Sequence, residues 1–270
     1  MSDLQFRETA AAGYDAAVGH WTRRLVPSLL RSAGLARGQR VLDIAAGTGL
    51  ASQAAIEVVG PTGHVTVADI SPAMLEKARE RLHRLPNVAF AVEDGQALSF
   101  PAGTFDRVIC NVGLMYFPEP ARGLSEFRRV LRPGGRTAVS VVRSPAVYRN
   151  TAGDTIDGGI LGIIARHVPA HAEAIDLFHT LGREPRLAAL FEQAGLHTFA
   201  INPEIVRYPL ASFAAYFALI ERGAGSNGQA FNALPDAVRR AVADEFHHRA
   251  GDAQAPVEVE IEISFASGRK

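Results

Sequence analysis

The chain of 270 residues has a single cysteine, Cys110. No internal disulfide can form, and the composition suits a reducing, cytoplasmic compartment. Neither sign of charge is in excess, because 28 basic residues face 28 acidic ones. No broad positive surface follows, so a nucleic-acid partner is not expected. Long hydrophobic runs are missing too: a stretch such as Gly159 to Ala165 is far too short for a membrane span. Residues 1–30 contain Asp3, Arg7 and Glu8 and no continuous apolar segment, so no signal peptide is expected. Lysine occurs only at positions 77 and 270, whereas arginine and alanine abound, a bias expected of a GC-rich bacterial genome. Repeats and low-complexity blocks are absent.

What is present is a 47% hydrophobic chain, enough for one large domain or one domain with an elaborated cap. Strand and helix patterns alternate along its first half. Strands are expected at 40–45, 64–69, 88–94, 106–112 and 136–142, and helices at 49–59, from Ser71-Pro72 to about Leu85, and at 121–131. Ser71 and Pro72 form an N-cap followed by an N1 proline. Short apolar strands separated by helices predict a doubly wound, mostly parallel α/β sheet. Further strands at 199–208 and 257–265 bring the expected number to seven. The last alternates Val257, Val259, Ile261, Ile263 and Phe265 with Glu258, Glu260 and Glu262, the pattern of a one-sided antiparallel strand. Residues 144–184 and 211–250 are expected to be helical lid insertions, the second broken at 223–229. Residues 1–34 are expected to form an N-terminal helical cover and 35–143 the binding core.

Doubly wound sheets bind ligands beyond the carboxyl ends of their strands. After the first strand come Ala45, Gly47 and Gly49, small residues that let a ligand approach backbone N–H groups. Asp69 ends the second strand, twenty residues beyond Gly49, where an acid can accept from both hydroxyls of a ribose. Asp94, in "EDGQ" after the third strand, can accept from an amino group such as that of adenine. Asn111 closes the fourth, where the halves of the sheet diverge. A nucleoside-containing ligand across the strand ends fits these residues. A dehydrogenase is disfavoured because the third glycine of the dinucleotide fingerprint is missing at Ser52, and a P-loop because the loop lacks lysine.

"DIAAGTG" (43–49), Asp69, "EDG" (93–95), "FPAGTFDRV" (100–108) and "FRRVLRPGGRTAVSV" (127–141) together resemble the class I S-adenosylmethionine-dependent methyltransferases. The likeness is to the ubiquinone/menaquinone-biosynthesis type and its small-molecule relatives, and covers roughly residues 35–142. It implies a Rossmann-like methyltransferase fold and S-adenosylmethionine as cofactor. Carried over residue by residue, Ala45, Gly47 and Gly49 would lie against the methionine part, and Asp43 would meet its amino group through water. Asp69 would hold the ribose, with Ile70 and Met74 flanking the adenine. Asp94 would take the adenine amino group, backed by Gly95 and Gln96, while the carbonyl of Asn111 would face the methionine end. Two departures stand out. The family often has Gly where this chain has Ala45, and relatives often carry His near Met115 or Tyr116.

The resemblance implies methylation of a small, fairly apolar molecule by in-line displacement. The acceptor's apolar character is an expectation from the inserted segments, rich in residues such as Ile160, Leu161, Ile163, Phe213, Tyr216 and Phe217. No Asn-Pro-Pro-Tyr-like element follows the fourth strand, which argues against DNA bases. Candidates to act on the acceptor are Tyr14, His20 and Tyr116, with His167 behind them. Tyr14 can equally belong to an amphipathic helix docked on the core. The alternatives are a cyclisation or rearrangement on the same fold, or a non-catalytic cofactor-binding module. His167 and His171 have a metal-like spacing, but Pro169 separates them and no metal site is expected. Arg128, Arg129 and Arg132 read as a solvated face, and a second copy of the chain, as a homodimer, remains a partner to consider.

Overall fold

A computed structural model describes residues 13–270 of the chain. The residues fall into two compact units. The core unit comprises residues 22–141, 182–203 and 264–270; the second unit comprises residues 13–21, 142–181 and 204–263. Residues 1–12 of the expected N-terminal cover lie outside the described part.

The core unit carries strands β1 (Arg40–Ile44), β2 (His64–Asp69), β3 (Val88–Val92), β4 (Phe105–Asn111) and β5 (Leu131–Val142). β1 is parallel to both β2 and β4, β2 to β3, and β4 to β5. Strand order therefore reverses at β1, and the crevice beyond β1 and β4 is the topological switch point of the fold. β1, β2 and β4 are buried along nearly their whole length, because helices cover a parallel sheet on both faces. Helix α1 (His20–Ala33) precedes the sheet. Helices α2 (Leu50–Val59), α3 (Pro72–Leu82) and α4 (Pro120–Val130) occupy the crossovers. α3 starts where expected: Ser71 Oγ accepts from Met74 N at 3.3 Å, with Pro72 in the first turn.

Among the described residues nine strands form, not the seven expected, in the order β3-β2-β1-β4-β5-β9-β6-β7, with β8 (His197–Leu210) also on β9 (Val257–Arg269). The two missed strands are a hairpin of the second unit, β6 (Val147–Asn150) and β7 (Thr155–Asp157), which lies within a segment expected to be helical. Strands of four and three residues are too short for a period-2 pattern to emerge. β9 is antiparallel to β6, as its alternating pattern requires. β5 begins at Leu131, five residues before the expected 136, with a register shift against β4 between Phe105 and Arg107.

Helices α5 (Gly159–His167), α6 (Pro169–Thr180), α8 (Phe213–Glu221), α9 (Gly225–Asn232) and α10 (Asp236–Ala250) belong to the second unit, and α7 (Glu184–Gln193) to the core unit. α9 starts at Gly225, within the stretch 223–229 that was expected to be a break, and runs to Asn232. Ile160, Leu161, Ile163, Phe213, Tyr216 and Phe217, expected to line the acceptor site, are all buried. Phe217 stacks on Phe246 at 4.6 Å, so these side chains build the unit's own core.

Candidate active site

The loop from β1 to α2 is held by contacts that the sequence pattern hid. Ala45, Gly47 and Gly49 all have positive φ, at 54°, 56° and 81°. Gly49 is required there twice over. Its backbone is left-handed, and a Cβ would sit 3.1 Å from both Ala78 and Leu82 of α3. Ala45 is a non-glycine residue in the same conformation, at a cost of about 1–2 kcal/mol. Its methyl faces Gly113, where a Cβ would lie 2.5 Å from that of Ala45. Arg81 of α3 donates to Thr48 O at 2.6 Å and so ties the loop down from outside.

Two carboxylates approach this loop. Asp43 is fully buried; its Oδ2 accepts from Ser52 Oγ at 2.5 Å, while Oδ1 has no partner. Burial raises its pKa to about 7, the Ser52 hydrogen bond works against this, and the nearby charge of Asp69 adds to it. Asp69 is 8% exposed. Its Oδ2 accepts from Gly47 N at 2.8 Å and its Oδ1 from Ser71 N at 2.9 Å. Burial raises its pKa also, against these backbone bonds. Each oxygen accepts one N–H and keeps a further lone pair for an external hydroxyl.

Beyond β2 and β3 the surface becomes apolar. Ile70 is 48% exposed and Val92, paired opposite Asp69, is 56% exposed. Val92 was missed in the sequence because it ends an apolar run and reads as core. Met74 is 1% exposed and serves the packing of α3. Asp94 is exposed, and its Oδ1 accepts from Gln96 N at 2.9 Å, a turn cap that leaves Oδ2 uncommitted. Gln96 is less open than expected: its N–H serves Asp94, and its Oε1 accepts from Glu119 N at 2.7 Å. Gly95 is packed beneath the Phe117 ring, where any Cβ would overlap it. The Asn111 side chain is fully engaged, donating to Thr22 O at 3.2 Å and accepting from Ser140 Oγ at 2.7 Å. Only its backbone is left for the ligand role.

The candidates for acting on the acceptor are not gathered in one unit. Tyr116 lies in a short helical turn, Leu114–Tyr116, of the core unit. Tyr14 and His20 belong to the second unit, Tyr14 at the start of a π-helical turn and His20 with its ring 5.1 Å from that of Tyr208. His167 bonds Glu245 Oε2 at 2.7 Å in a cluster with Arg166 and Arg249, a structural role. His171 lies beyond Pro169 in α6, and no metal-binding group of three or more occurs among the described residues. The arginines expected to be solvated are not idle. Arg128 donates to Gly195 O at 2.9 Å, Arg129 to Phe100 O and Leu98 O at 2.8 Å, and Arg132 pairs with Asp106. No helix among the described residues is long and apolar enough to cross a membrane.

Parts of the chain are similar to known proteins. Residues 41–135 match the family model described as "Methyltransferase domain". The ubiquinone/menaquinone biosynthesis C-methyltransferase UbiE of Citrobacter koseri is 39% identical over 117 residues, 42% of this chain and 47% of that protein. A 2-methyl-6-phytyl-1,4-hydroquinone methyltransferase of Oryza sativa is 42% identical over 118 residues, 43% of this chain and 33% of that one. The chain thus matches less than half the length of these relatives. Its fold is that of the Bacillus YcgJ protein, with a TM-score of 0.60 at 17% identity over 92% of this chain and 98% of that one.

Proposed function

We infer, from the match of residues 41–135 to the methyltransferase domain model, that the chain is a class I methyltransferase that binds S-adenosylmethionine and methylates a small molecule. The observation that carries this reading is the buried, unpartnered Oδ1 of Asp43 beside a glycine loop at the switch point. A buried carboxyl oxygen without a donor is costly, and an amino group reached through water would satisfy it. Asp69 would accept from the ribose hydroxyls through its remaining lone pairs. Ile70 and Val92 would flank the adenine, and Asp94 Oδ2 would accept from its amino group. The bound cofactor supplies an activated sulfonium methyl for in-line displacement. The chain's part is then to align the acceptor and exclude water, and alignment can contribute roughly 7–11 kcal/mol.

The acceptor is read as a small molecule rather than a nucleic acid, because the chain's charges balance. The second unit would supply its contacts, and the lone buried Cys110 accords with a cytoplasmic setting. Calorimetric titration with S-adenosylhomocysteine tests the cofactor assignment. Asp69→Ala should weaken binding by about 1–3 kcal/mol, since it strands buried polar partners. Asp94→Ala perturbs only an exposed turn and should weaken it less. Wild-type affinity in Asp69→Ala, or no binding to the wild-type chain, would overturn the reading.

A further inference from the structure

The second unit has a cavity on the outward face of its sheet, lined from β6, β8 and β9. Its volume of about 390 Å³ falls within the roughly 300–1,000 Å³ typical of small-molecule sites. Strand register builds it. β6 lies antiparallel on β9 with Val147 opposite Glu260 and Arg149 opposite Glu258. Tyr148 and Val259, which alternate with them, are buried, so these four side chains share the outward face. Pro209 of β8 and Pro256, just before β9, complete the walls and are both exposed. Their rings are stiff and offer no N–H, so this part of the wall is apolar and fixed. Thr151 N donates to Pro256 O at 3.0 Å, which joins the end of β6 to the approach to β9.

The charges on this face are only partly matched. Glu260 accepts from Arg207 Nε of β8 at 2.7 Å, so its charge is met by a neighbour. Asn150 is buried and committed: its Oδ1 accepts from Asp154 N at 2.8 Å, and its Nδ2 donates to Asp154 Oδ2 at 2.8 Å. Arg149 and Glu258 differ from both. They stand directly opposite on adjacent strands, where opposite charges ordinarily pair. Yet neither side chain makes a hydrogen bond or ion pair with any described residue, and both are exposed. The cavity therefore offers one free guanidinium and one free carboxylate from neighbouring strands, with apolar walls beside them.

A ligand that meets both free groups carries both signs of charge. A simple anion would leave Glu258 facing its own sign, and a simple cation would leave Arg149 unmet. The prolines and Val147 call for an apolar body on the same molecule. We propose that this cavity binds a free amino acid with an apolar side chain, its carboxylate taking a forked pair of hydrogen bonds from Arg149 and its ammonium donating to Glu258. The apolar side chain lies against Val147, Pro209 and Pro256. This site goes beyond the methyl-transfer reading and does not rest on it, because every residue involved belongs to the second unit.

Calorimetric titration of the full chain tests the assignment. The amino-acid probes are L-leucine and L-phenylalanine. Three truncated probes accompany them: 3-methylbutylamine lacks the carboxylate, 4-methylpentanoate lacks the ammonium, and glycine lacks the apolar body. L-Leucine should bind at least about tenfold more tightly than either singly charged probe, the value of one hydrogen bond to a charged group. Glycine should be weaker by a similar factor, through lost apolar burial. Arg149→Gln should bring L-leucine down to the affinity of 3-methylbutylamine while keeping the advantage over 4-methylpentanoate. Glu258→Gln should do the reverse. Both side chains are exposed, so thermal midpoints should stay at the wild-type value, which separates lost binding from lost folding. Absence of binding of both amino acids to the wild-type chain up to about 10 mM overturns the proposal, and is the result expected if Arg149 and Glu258 pair only with each other. Preferences that survive both substitutions overturn it as well.

Discussion

Asp43 concentrates the conflict between stability and binding into one side chain. Its carboxyl is fully buried with a pKa near 7, against 3.8 for a free aspartate. The folded protein therefore holds a proton that the unfolded chain has released above about pH 4. Such a raised pKa contributes stability at low pH that is lost as pH rises to about 7. The free-energy change across that window is on the order of 4 kcal/mol. Asp43→Asn cannot ionise, so its urea-unfolding stability should gain on the wild type between pH 4.5 and 7.5. Parallel pH profiles for the two proteins would show that Asp43 does not titrate in this way. Ala45 poses a second test. Gly113→Ala would bring a methyl within 2.5 Å of Ala45 Cβ and 2.8 Å of Cys110 Sγ, and should destabilise by about 1–3 kcal/mol. Adding Ala45→Gly removes one of those clashes and should recover part of the loss in thermal unfolding; no recovery would mean that Cys110 carries the whole clash.

At the level of elements, Arg129 shows why surface-looking residues matter. It projects from α4 and binds Leu98 O, Phe100 O and the carboxylate of Glu126. It thereby fastens the segment that follows Asp94 and Gly95 to the helix. Arg129→Ala should cost about 1–3 kcal/mol, because buried carbonyls lose charged donors. Lysine at 129 should rescue only partly, since its ammonium lacks the planar fork. Hydrogen exchange at residues 96–103 should accelerate in both variants, and unchanged exchange there would refute the tether. The sequence pattern did not expose this role, because three arginines within five positions at a helix end look like a solvated face. The strands β1, β2 and β4 were legible for the opposite reason: their continuous apolar runs leave no other reading. The β6–β7 hairpin was not, because register partners set strands of three and four residues and no local period announces them.

At the level of the whole molecule, what could be read followed the distance over which a residue acts. Gly47, Gly49 and Asp69 were expected at one site because strand ends and glycine turns are local features, and Gly47 N does donate to Asp69 Oδ2. Ser52 and Arg81, which hold Asp43 and Thr48, act across gaps of 9 and 33 residues. The Tyr148 and Tyr216 rings, 5.1 Å apart, come from β6 and α8, and nothing in their separate neighbourhoods links them. Asp43 and Asp69 of the core unit and Glu245 of the second respond to pH in opposite senses. In the core unit, burial raises the pKa values of Asp43 and Asp69, which lowers stability as pH rises. In the second unit burial pushes Glu245 up, but hydrogen bonds from Arg249, Arg166 and His167 outweigh it and bring its pKa to about 2. That group contributes stability above pH 4.5, which is lost as pH falls toward 2. The two windows meet near pH 4. Asp43→Asn should therefore lift only the limb of the thermal midpoint above that pH, and Glu245→Gln should flatten only the limb below it. Calorimetric scans from pH 3 to 8 on the three proteins decide the matter: if both variants shift the same limb, the assignment of opposite responses to these groups is wrong.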